Sequence, residues 1–590
     1  MIKSSPDSYR KDIDGIRAIA VLSVFLFHLG FLPNGYLGVD IFFAISGYLI
    51  TKIVFGEVRE NRFSITNFYL RRIRRIIPLV LFTTLIALII GLFVMLPDDL
   101  ENLSQSVFAT NFFANNILLL VTTGNYWAIV NDFKPLMHTW SLGVEEQFYL
   151  FYPILFLFLN GKRSRWTLHI LLLLTICSII LFFATSNEAS KFYSIQFRFF
   201  ELSLGGIGAV ALKNKLIDGK FKLIFLLIII LILFTDLNLS GNLKLLITTF
   251  ASVGLLISAS NPKQLTSFIL ENKLMVAIGK ISFSLYMWHQ IVLAFTRYFV
   301  LQKIDVIDSL LIFLVTVSLS VFSYLIIEQP FRNKQKFKTR ILLISTGTIF
   351  LIVSGFSLYV FSIAGVVRNV PELDIYAFSN HNNLDLTNHK RNIHIQYNAK
   401  IYDLEKTFTN TNKTKILVIG NSFARDWANV LLESKYRENI EISYIENINI
   451  GIDIQERLDS SQYIFFSEME IHQFKLLQEK YNIDSAKVWN VGTKNFGSNN
   501  GIYYNKRRSV NYCSQRTKVD DNILKLNSDL KKQWGGKYID LLGLIMDKNY
   551  TVPIFTSNCK FISQDCNHLT KSGAIYFAKL IDNEQSLYIK

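Results

Sequence analysis

The sequence is short of charge and of cysteine, and each shortage excludes something. Charged residues make up 18% of 590 positions and hydrophobic residues 51%. The mean hydropathy of +0.31 is too high for an ordinary soluble enzyme. With four cysteines, Cys177, Cys513, Cys559 and Cys566, a scaffold built on disulfides is excluded. The sequence has no metal-ligand spacing, no Gly-rich phosphate loop and no clear internal repeat. A cleavable signal peptide is not expected either, because the first apolar segment follows a short basic stretch and is polar in its first turn.

What the chain has instead is long apolar runs. Eleven segments approach or reach the roughly 20 residues that span a bilayer: 13–32, 36–55, 76–96, 142–160, 166–184, 197–213, 221–236, 243–260, 274–300, 308–327 and 340–362. Residues 363–590 read as a soluble domain, with an Asn-rich stretch, 363–412, expected as a linker or extension without a tight core. The net charge of +16 gathers on alternate connections: Lys3, Arg10 and Lys11; Arg59 to Arg75; Lys162 to Arg165; Lys213 to Lys222; Arg332 to Arg340. The positive-inside rule places these connections and the N-terminus in the cytoplasm. An odd number of spans then delivers the C-terminal domain to the outer side. Topology accounts for the excess charge, so a nucleic-acid partner is not expected. Cys177 falls in a span and reads as inert packing. The other three cysteines fall in the outer domain, where one bridge can form and one thiol is left over.

Ionisable residues inside apolar segments are costly and usually face a bundle interior or a wet cavity. Arg17 and His28, 11 residues apart, share one helix face about 16 Å apart along the axis. They form either a polar track through the bilayer or, less interestingly, a snorkelling anchor and an interface residue. The stretch Gly35 to Tyr48 combines Gly38 and Gly47, suited to close helix packing, with Asp40. Arg71-Arg72-Ile73-Arg74-Arg75, just before the segment opened by Ile76, is either a cytoplasmic anchor or a phosphate site, since arginine forks suit phosphate. In His138 to Tyr149, a continuous helix would put His138 and Glu145 on one face. Arg198 and Glu201 are spaced for an ion pair, and His289 adds a titratable group within the ninth segment.

Taken together these words resemble the acyltransferase-3 family of membrane acyltransferases. The matching pieces are Asp12-Ile13-Asp14-Gly15-Ile16-Arg17 with His28, the Gly38 to Tyr48 stretch, Arg72 with Arg75, the His138 to Tyr149 block, and Glu328-Gln329-Pro330. The resemblance covers residues 9–333. It implies ten helices that take an acyl group, usually acetyl, from acyl-coenzyme A in the cytoplasm to the outer side, with Arg17 and His28 essential and Arg72 and Arg75 on the coenzyme A phosphates. Independently of the family, His28 is suited to act as base or transient acyl carrier, and Glu145 to orient a proton carrier.

In the outer domain, Lys415 to Ile419 reads as a buried strand, followed by Gly420-Asn421-Ser422 and a helical run to Leu432. A serine at that turn lies near helix amides able to stabilise an oxyanion. Asp565 and His568 follow 143 and 146 residues after Ser422, before a last helix opened by Lys571, and their spacing allows the carboxylate to fix the imidazole tautomer. This pairing resembles the SGNH hydrolase family, in particular SGNH domains fused behind acyltransferase-3 domains. Two departures stand out: Asn421 replaces the more usual Asp, and the oxyanion blocks are unclear, with Gly492, Asn495 and the Ser422 amide as candidates.

The expected architecture is therefore a polytopic α-helical membrane domain of ten helices plus an eleventh linking helix, followed by an α/β SGNH-like extracytoplasmic domain. The expected divisions are 9–333, 334–412 and 413–590. The expected catalytic residues are Arg17, His28, Glu145, Ser422, Asp565 and His568, with Arg72 and Arg75 binding the donor, acetyl-CoA, and no metal. The expected location is a bacterial inner membrane, and the expected partners are the lipid bilayer and an envelope polysaccharide acceptor, lipopolysaccharide O-antigen first and peptidoglycan second. A transporter with a glycan-binding domain and a membrane-anchored carbohydrate esterase are readings of other classes.

Overall fold

The structure, a computed structural model, describes residues 2–3, 9–123, 129–159, 166–211, 215–299, 304–376, 393–409 and 412–583. The basic residues Lys162, Arg163, Arg165 and Lys213, and residues 377–392 of the Asn-rich stretch, lie outside that set. The chain forms two compact units: Met1–Phe93 with Asn102–Tyr359, and Val94–Glu101 with Val360–Lys590.

In the first unit a helix occupies each of the eleven apolar segments: α1 (Lys11–His28), α2 (Gly38–Arg59), α3 (Ile65–Val94), α4 (Trp140–Phe158), α5 (Thr167–Ala184), α6 (Ile195–Ala211), α7 (Lys220–Phe234), α8 (Gly241–Ile257), α9 (Lys273–Arg297), α10 (Val306–Ser323) and α11 (Thr339–Ser362). Among the described residues, five helices are long and apolar enough to cross a membrane by length and composition: Gly35–Arg59, Ile65–Val94, Thr167–Ala184, Val306–Arg332 and Thr339–Ser362. Helix α1 is not one of them, because its first two turns carry Lys11, Asp12, Asp14 and Arg17. The exposed apolar side chains of α5, α10 and α11, such as Leu173, Leu310 and Leu351, mark the outward faces of this unit.

Small residues set how closely these helices approach. A Cβ on Gly47 of α2 would lie 1.7 Å from the Leu202 carbonyl oxygen of α6, and one on Gly205 of α6 would lie 2.1 Å from that of Ala44. A Cβ on Gly279 of α9 would lie 1.9 Å from the Asp14 oxygen of α1. Backbone therefore meets backbone at both crossings, the small-residue packing of membrane helices. Contact this close draws the inward side chains of α1, α2, α6 and α9 together.

The second unit contains a five-stranded, fully parallel sheet of β1 (Thr414–Ile419), β2 (Ile440–Ile445), β3 (Tyr463–Ser467), β4 (Val488–Val491) and β5 (Tyr538–Ile539), in the order β2-β1-β3-β4-β5. Ile416 to Ile419 of β1 are all buried, as parallel strands covered on both faces must be. Helices α12 (Ser422–Glu433) and α13 (Lys571–Asn583) bury Trp427, Val430, Phe577 and Ala578. The strand order reverses between β1 and β3, and in open α/β sheets that crevice, at the carboxyl ends of the strands, is where ligands bind.

The stretch expected as a loose linker is in its described parts built into this unit. Val370, Leu373, Ile375 and Ile401 are buried in the core, and the helix Ile393–Tyr402 holds α12 through Asn398 to Asn429 at 2.9 Å and Tyr397 to Glu433 at 3.1 Å. Its apolar residues are too sparse for a periodic signal, yet these four fill core positions. Cys513 and Cys559 form the disulfide, leaving Cys566 buried and Cys177 exposed, so Cys177 is not core packing.

Candidate functional sites

In the first unit, Arg17 and His28 do not share a compartment. Arg17 lines a cavity of about 310 Å³ together with Ser46, Arg72, Arg75, Glu145 and Tyr149. His28 lines a recess of about 20 Å³ with Asp40, Trp140 and Arg198, and also a pocket of about 260 Å³ with Asn131, Asp132, Gln290 and Arg297. Val39 borders both the Arg17 cavity and the small recess.

The large cavity is mostly apolar with polar groups at chosen points, the usual make-up of a small-molecule site. Arg72 stacks its guanidinium 5.4 Å from the Tyr149 ring and 5.8 Å from that of Phe68, which orients an otherwise flexible arm. The Glu145 carboxylate accepts hydrogen bonds from the hydroxyls of Ser46 and Tyr149. The arginine run does not precede the third helix, as its composition suggested, but lies inside it, since α3 begins at Ile65. Helical spacing then separates the four side chains. Arg74 turns away and donates to the carbonyls of Phe331 (3.0 Å) and Phe337 (2.8 Å) and to the Thr339 hydroxyl (3.1 Å), while Arg71 pairs with Glu57 at 3.0 Å. Arg72 and Arg75, three apart, face the cavity.

His138 and Glu145 do not share a helix face. Helix α4 starts at Trp140 and Met137–Thr139 is a separate 3-10 turn, so the register between them is broken. His138 instead joins His28 and His289: ring centroids are 5.0 Å apart for His138 and His289 and 5.4 Å for His28 and His289. His289 Nδ1 donates to the Tyr286 carbonyl at 2.6 Å, and its Nε2 is buried without a hydrogen-bond partner among the described residues. Asp40 is not exposed at the surface of the bundle. It is buried with Arg198 and Glu201, the guanidinium lying 3.0 Å from Asp40 and 2.8 Å from Glu201.

In the second unit the site is built by the turn between β1 and α12. Gly420, at φ +136°, occupies backbone space that other residues rarely adopt. Asn421 caps the helix by accepting from the Phe423 amide at 3.0 Å, and Ser422 is the first helical residue. His568 Nε2 lies 2.7 Å from Ser422 Oγ, and His568 Nδ1 lies 2.6 Å from Asp565 Oδ2. Asp565 also accepts from the main-chain amides of His568 (2.8 Å) and Asn567 (3.1 Å). Burial would raise the Asp565 pKa, but the His568 hydrogen bonds and charge outweigh it and hold the carboxyl below its ordinary range. A carboxylate only accepts, so it fixes Nδ1 as the donor and leaves Nε2 free to take the serine proton.

Two side chains that the motifs did not flag tie this array together. Asp426, one turn beyond Ser422, is buried and accepts from the Leu569 amide at 2.8 Å, next to His568. The buried Lys494 neutralises it at 3.0 Å and lies 3.6 Å from the centroid of the Phe423 ring. An acidic residue four positions after a turn serine is the available sequence signal, and it is too common to stand out. Of the oxyanion candidates, the Gly492 amide is taken by the Ile539 carbonyl at 2.8 Å, and Asn495 exchanges bonds of 3.3 and 3.4 Å with Gly497. Cys566 lies within the Asp565–His568 loop, where burial pushes its thiol pKa well up and so keeps it protonated and unreactive.

The first unit is a helical bundle around a basic, mostly apolar cavity; the second is a parallel α/β unit with a Ser-His-Asp array. Residues 10–328 match the model of an acyltransferase domain family, Acyl_transf_3, and the chain belongs to that family. With its membrane-length helices, the first unit is a multi-pass membrane domain. The chain is 32% identical over 354 residues to the O-acetyltransferase OatA of Staphylococcus aureus strain NCTC 8325 / PS 47, covering 55% of this chain and 58% of that protein. The same values describe its similarity to OatA of S. aureus strain COL. The matched region therefore spans little more than half the length of these relatives. No solved structure matches the chain.

Proposed function

We propose that the protein is an O-acetyltransferase of the bacterial inner membrane that takes acetyl from cytoplasmic acetyl-CoA and places it on hydroxyls of an envelope polysaccharide. The observation that carries this reading is the Ser422–His568–Asp565 array on the same chain as an acyltransferase membrane domain. An activated serine is suited to receive acetyl that a membrane acyltransferase delivers to the outer side.

In the first unit, Arg17, Arg72 and Arg75 hold the donor in the 310 Å³ cavity. Glu145 orients the polar groups around it, and His28 serves as base or transient acyl carrier. In the second unit, an SGNH-like domain in this reading, Ser422 Oγ attacks the incoming acetyl carbonyl as His568 Nε2 takes its proton. The proton leaves with the departing group, and acetyl remains as an ester on Ser422. A sugar hydroxyl then attacks that ester, gives its proton to His568 and carries the acetyl away, which regenerates the Ser422 hydroxyl. The Ser422 amide at the start of α12 stabilises the oxyanion in this reading. The names of the relatives support O-acetyl transfer.

The test is the O-acetyl content of separated lipopolysaccharide and peptidoglycan fractions from a deletion strain. The strain is complemented with wild type, His28→Ala or Ser422→Ala at matched membrane levels. Loss of acetate from one fraction with both variants is expected, and that fraction identifies the acceptor. Acetate unchanged by the deletion itself would overturn the reading.

A further inference from the structure

We infer that Arg332 and Lys334 complete, with Arg72 and Arg75, a phosphate-ester site at the mouth of the donor cavity, and that Glu328 is the residue that aims Arg332 into it. This rests on the donor reading above and adds residues that the Arg72–Arg75 pair alone did not indicate.

A second pocket, of about 270 Å³, is lined by Arg71, Arg72, Arg74, Arg75, Arg332 and Lys334. Arg72 and Arg75 line both this pocket and the 310 Å³ cavity, so the two spaces meet at that pair. One side of the junction is wholly basic; the other is mostly apolar. Such a bipartite site fits a ligand with several phosphates at one end and a slender, less polar arm at the other.

The cations of the basic pocket are not equally available. Arg74 is consumed by the two carbonyls and the hydroxyl already described, and Arg71 by Glu57. Arg75 and Lys334 make no hydrogen bond or ion pair among the described residues, and the Nε atoms of Arg72 and Arg332 are buried without a hydrogen-bond partner among them. Arg332 is held through Nη2 by Glu328, at 2.6 Å, and the other oxygen of Glu328 accepts from the Ser284 hydroxyl. The Glu328 side chain is completely buried, whereas that of Arg332 is 34% exposed. A buried carboxylate fixed on both sides thus presents a partly open guanidinium to a pocket with surplus positive charge. Unshared cations held this close repel one another, and a multiply charged phosphate ester relieves that repulsion while using the guanidinium forks.

Phosphate esters reach such a site as part of the donor or as lipid headgroups, and one binding experiment separates them. Full-length protein is reconstituted into phosphatidylcholine nanodiscs, and affinity is measured for acetyl-CoA and for acetyl-pantetheine, which lacks the phosphates. Arg332→Gln and Lys334→Gln are each expected to weaken acetyl-CoA binding by about tenfold or more and to leave acetyl-pantetheine unmoved, with Arg332→Lys recovering part of the loss. Lys334 is exposed, so its replacement leaves helix packing intact. Wild-type affinity for acetyl-CoA in both glutamine variants overturns the inference while the donor reading stands. A wild-type protein that binds acetyl-CoA no better than acetyl-pantetheine overturns the donor reading and this inference with it. Displacement of acetyl-CoA by added phosphatidylglycerol, abolished by Arg332→Gln, assigns the pocket to lipid and also overturns the inference.

Discussion

His568 Nε2 and Ser422 Oγ stand 2.7 Å apart although 146 residues separate them in the chain. The first strand-helix turn and the loop before the last helix supply one partner each. Ser422→Ala or His568→Ala is expected to lower cleavage of a chromogenic acetyl ester by the purified full chain by about 10³-fold or more. Asp565→Asn should cost a comparable factor by presenting the wrong histidine tautomer. Ester cleavage at the wild-type rate in Ser422→Ala would remove the serine from the chemistry.

Arg198 compensates Asp40 and Glu201 at once inside the bundle. Arg198→Met strands both carboxylates in an apolar surround and should destabilise the first unit by about 3–5 kcal/mol. The triple variant Arg198→Met, Asp40→Asn, Glu201→Gln should recover much of that loss. Thermal melting of the detergent-solubilised protein measures both.

Gly47 and Gly56 lie on the same helix, yet their substitutions should differ sharply. An alanine Cβ at 47 meets the Leu202 carbonyl oxygen at 1.7 Å, whereas at 56 nothing lies within 4 Å. Gly47→Ala should force α2 and α6 apart at a cost of about 1–3 kcal/mol or more, and Gly56→Ala should be neutral or slightly stabilising. Equal melting temperatures for the two variants would contradict the backbone contact.

His394, buried in the helix that packs on α12, has its pKa lowered by that burial from 6.5 to about 4. The folded unit therefore refuses a proton that the unfolded chain accepts between those values. Stability is greatest above about pH 6.5 and falls as pH drops to about 4, by an amount on the order of 3 kcal/mol. Hydrogen exchange of β1 and α12 in the full chain, corrected for intrinsic rates, should show this loss, and His394→Gln should flatten it. An unchanged slope in the variant would mean that another group carries the pH dependence.

The helices were legible because apolar runs about 20 residues long have few alternatives, and the β1–Ser422–α12 turn because strand, glycine and amphipathic helix follow one another directly. Positions that depend on where a helix begins were less so. The arginine run reads as lying ahead of the third apolar segment because four charges in five residues mask helical continuity, and the break at Met137–Thr139 takes His138 away from the face of Glu145. Asp426, Lys494 and the buried residues of the Asn-rich stretch acquire meaning only from partners far along the chain. No local pattern specifies them. The disulfide between Cys513 and Cys559, rather than one involving Cys566, is likewise a matter of tertiary proximity.

Val39 is the side chain that borders both the Arg17 cavity and the His28 recess. Under the proposed transfer, a group passing from the donor cavity towards His28 would meet this valine. Trimming it to alanine takes two methyl groups off the one side chain that both linings share, so the wall between the two spaces thins at that point.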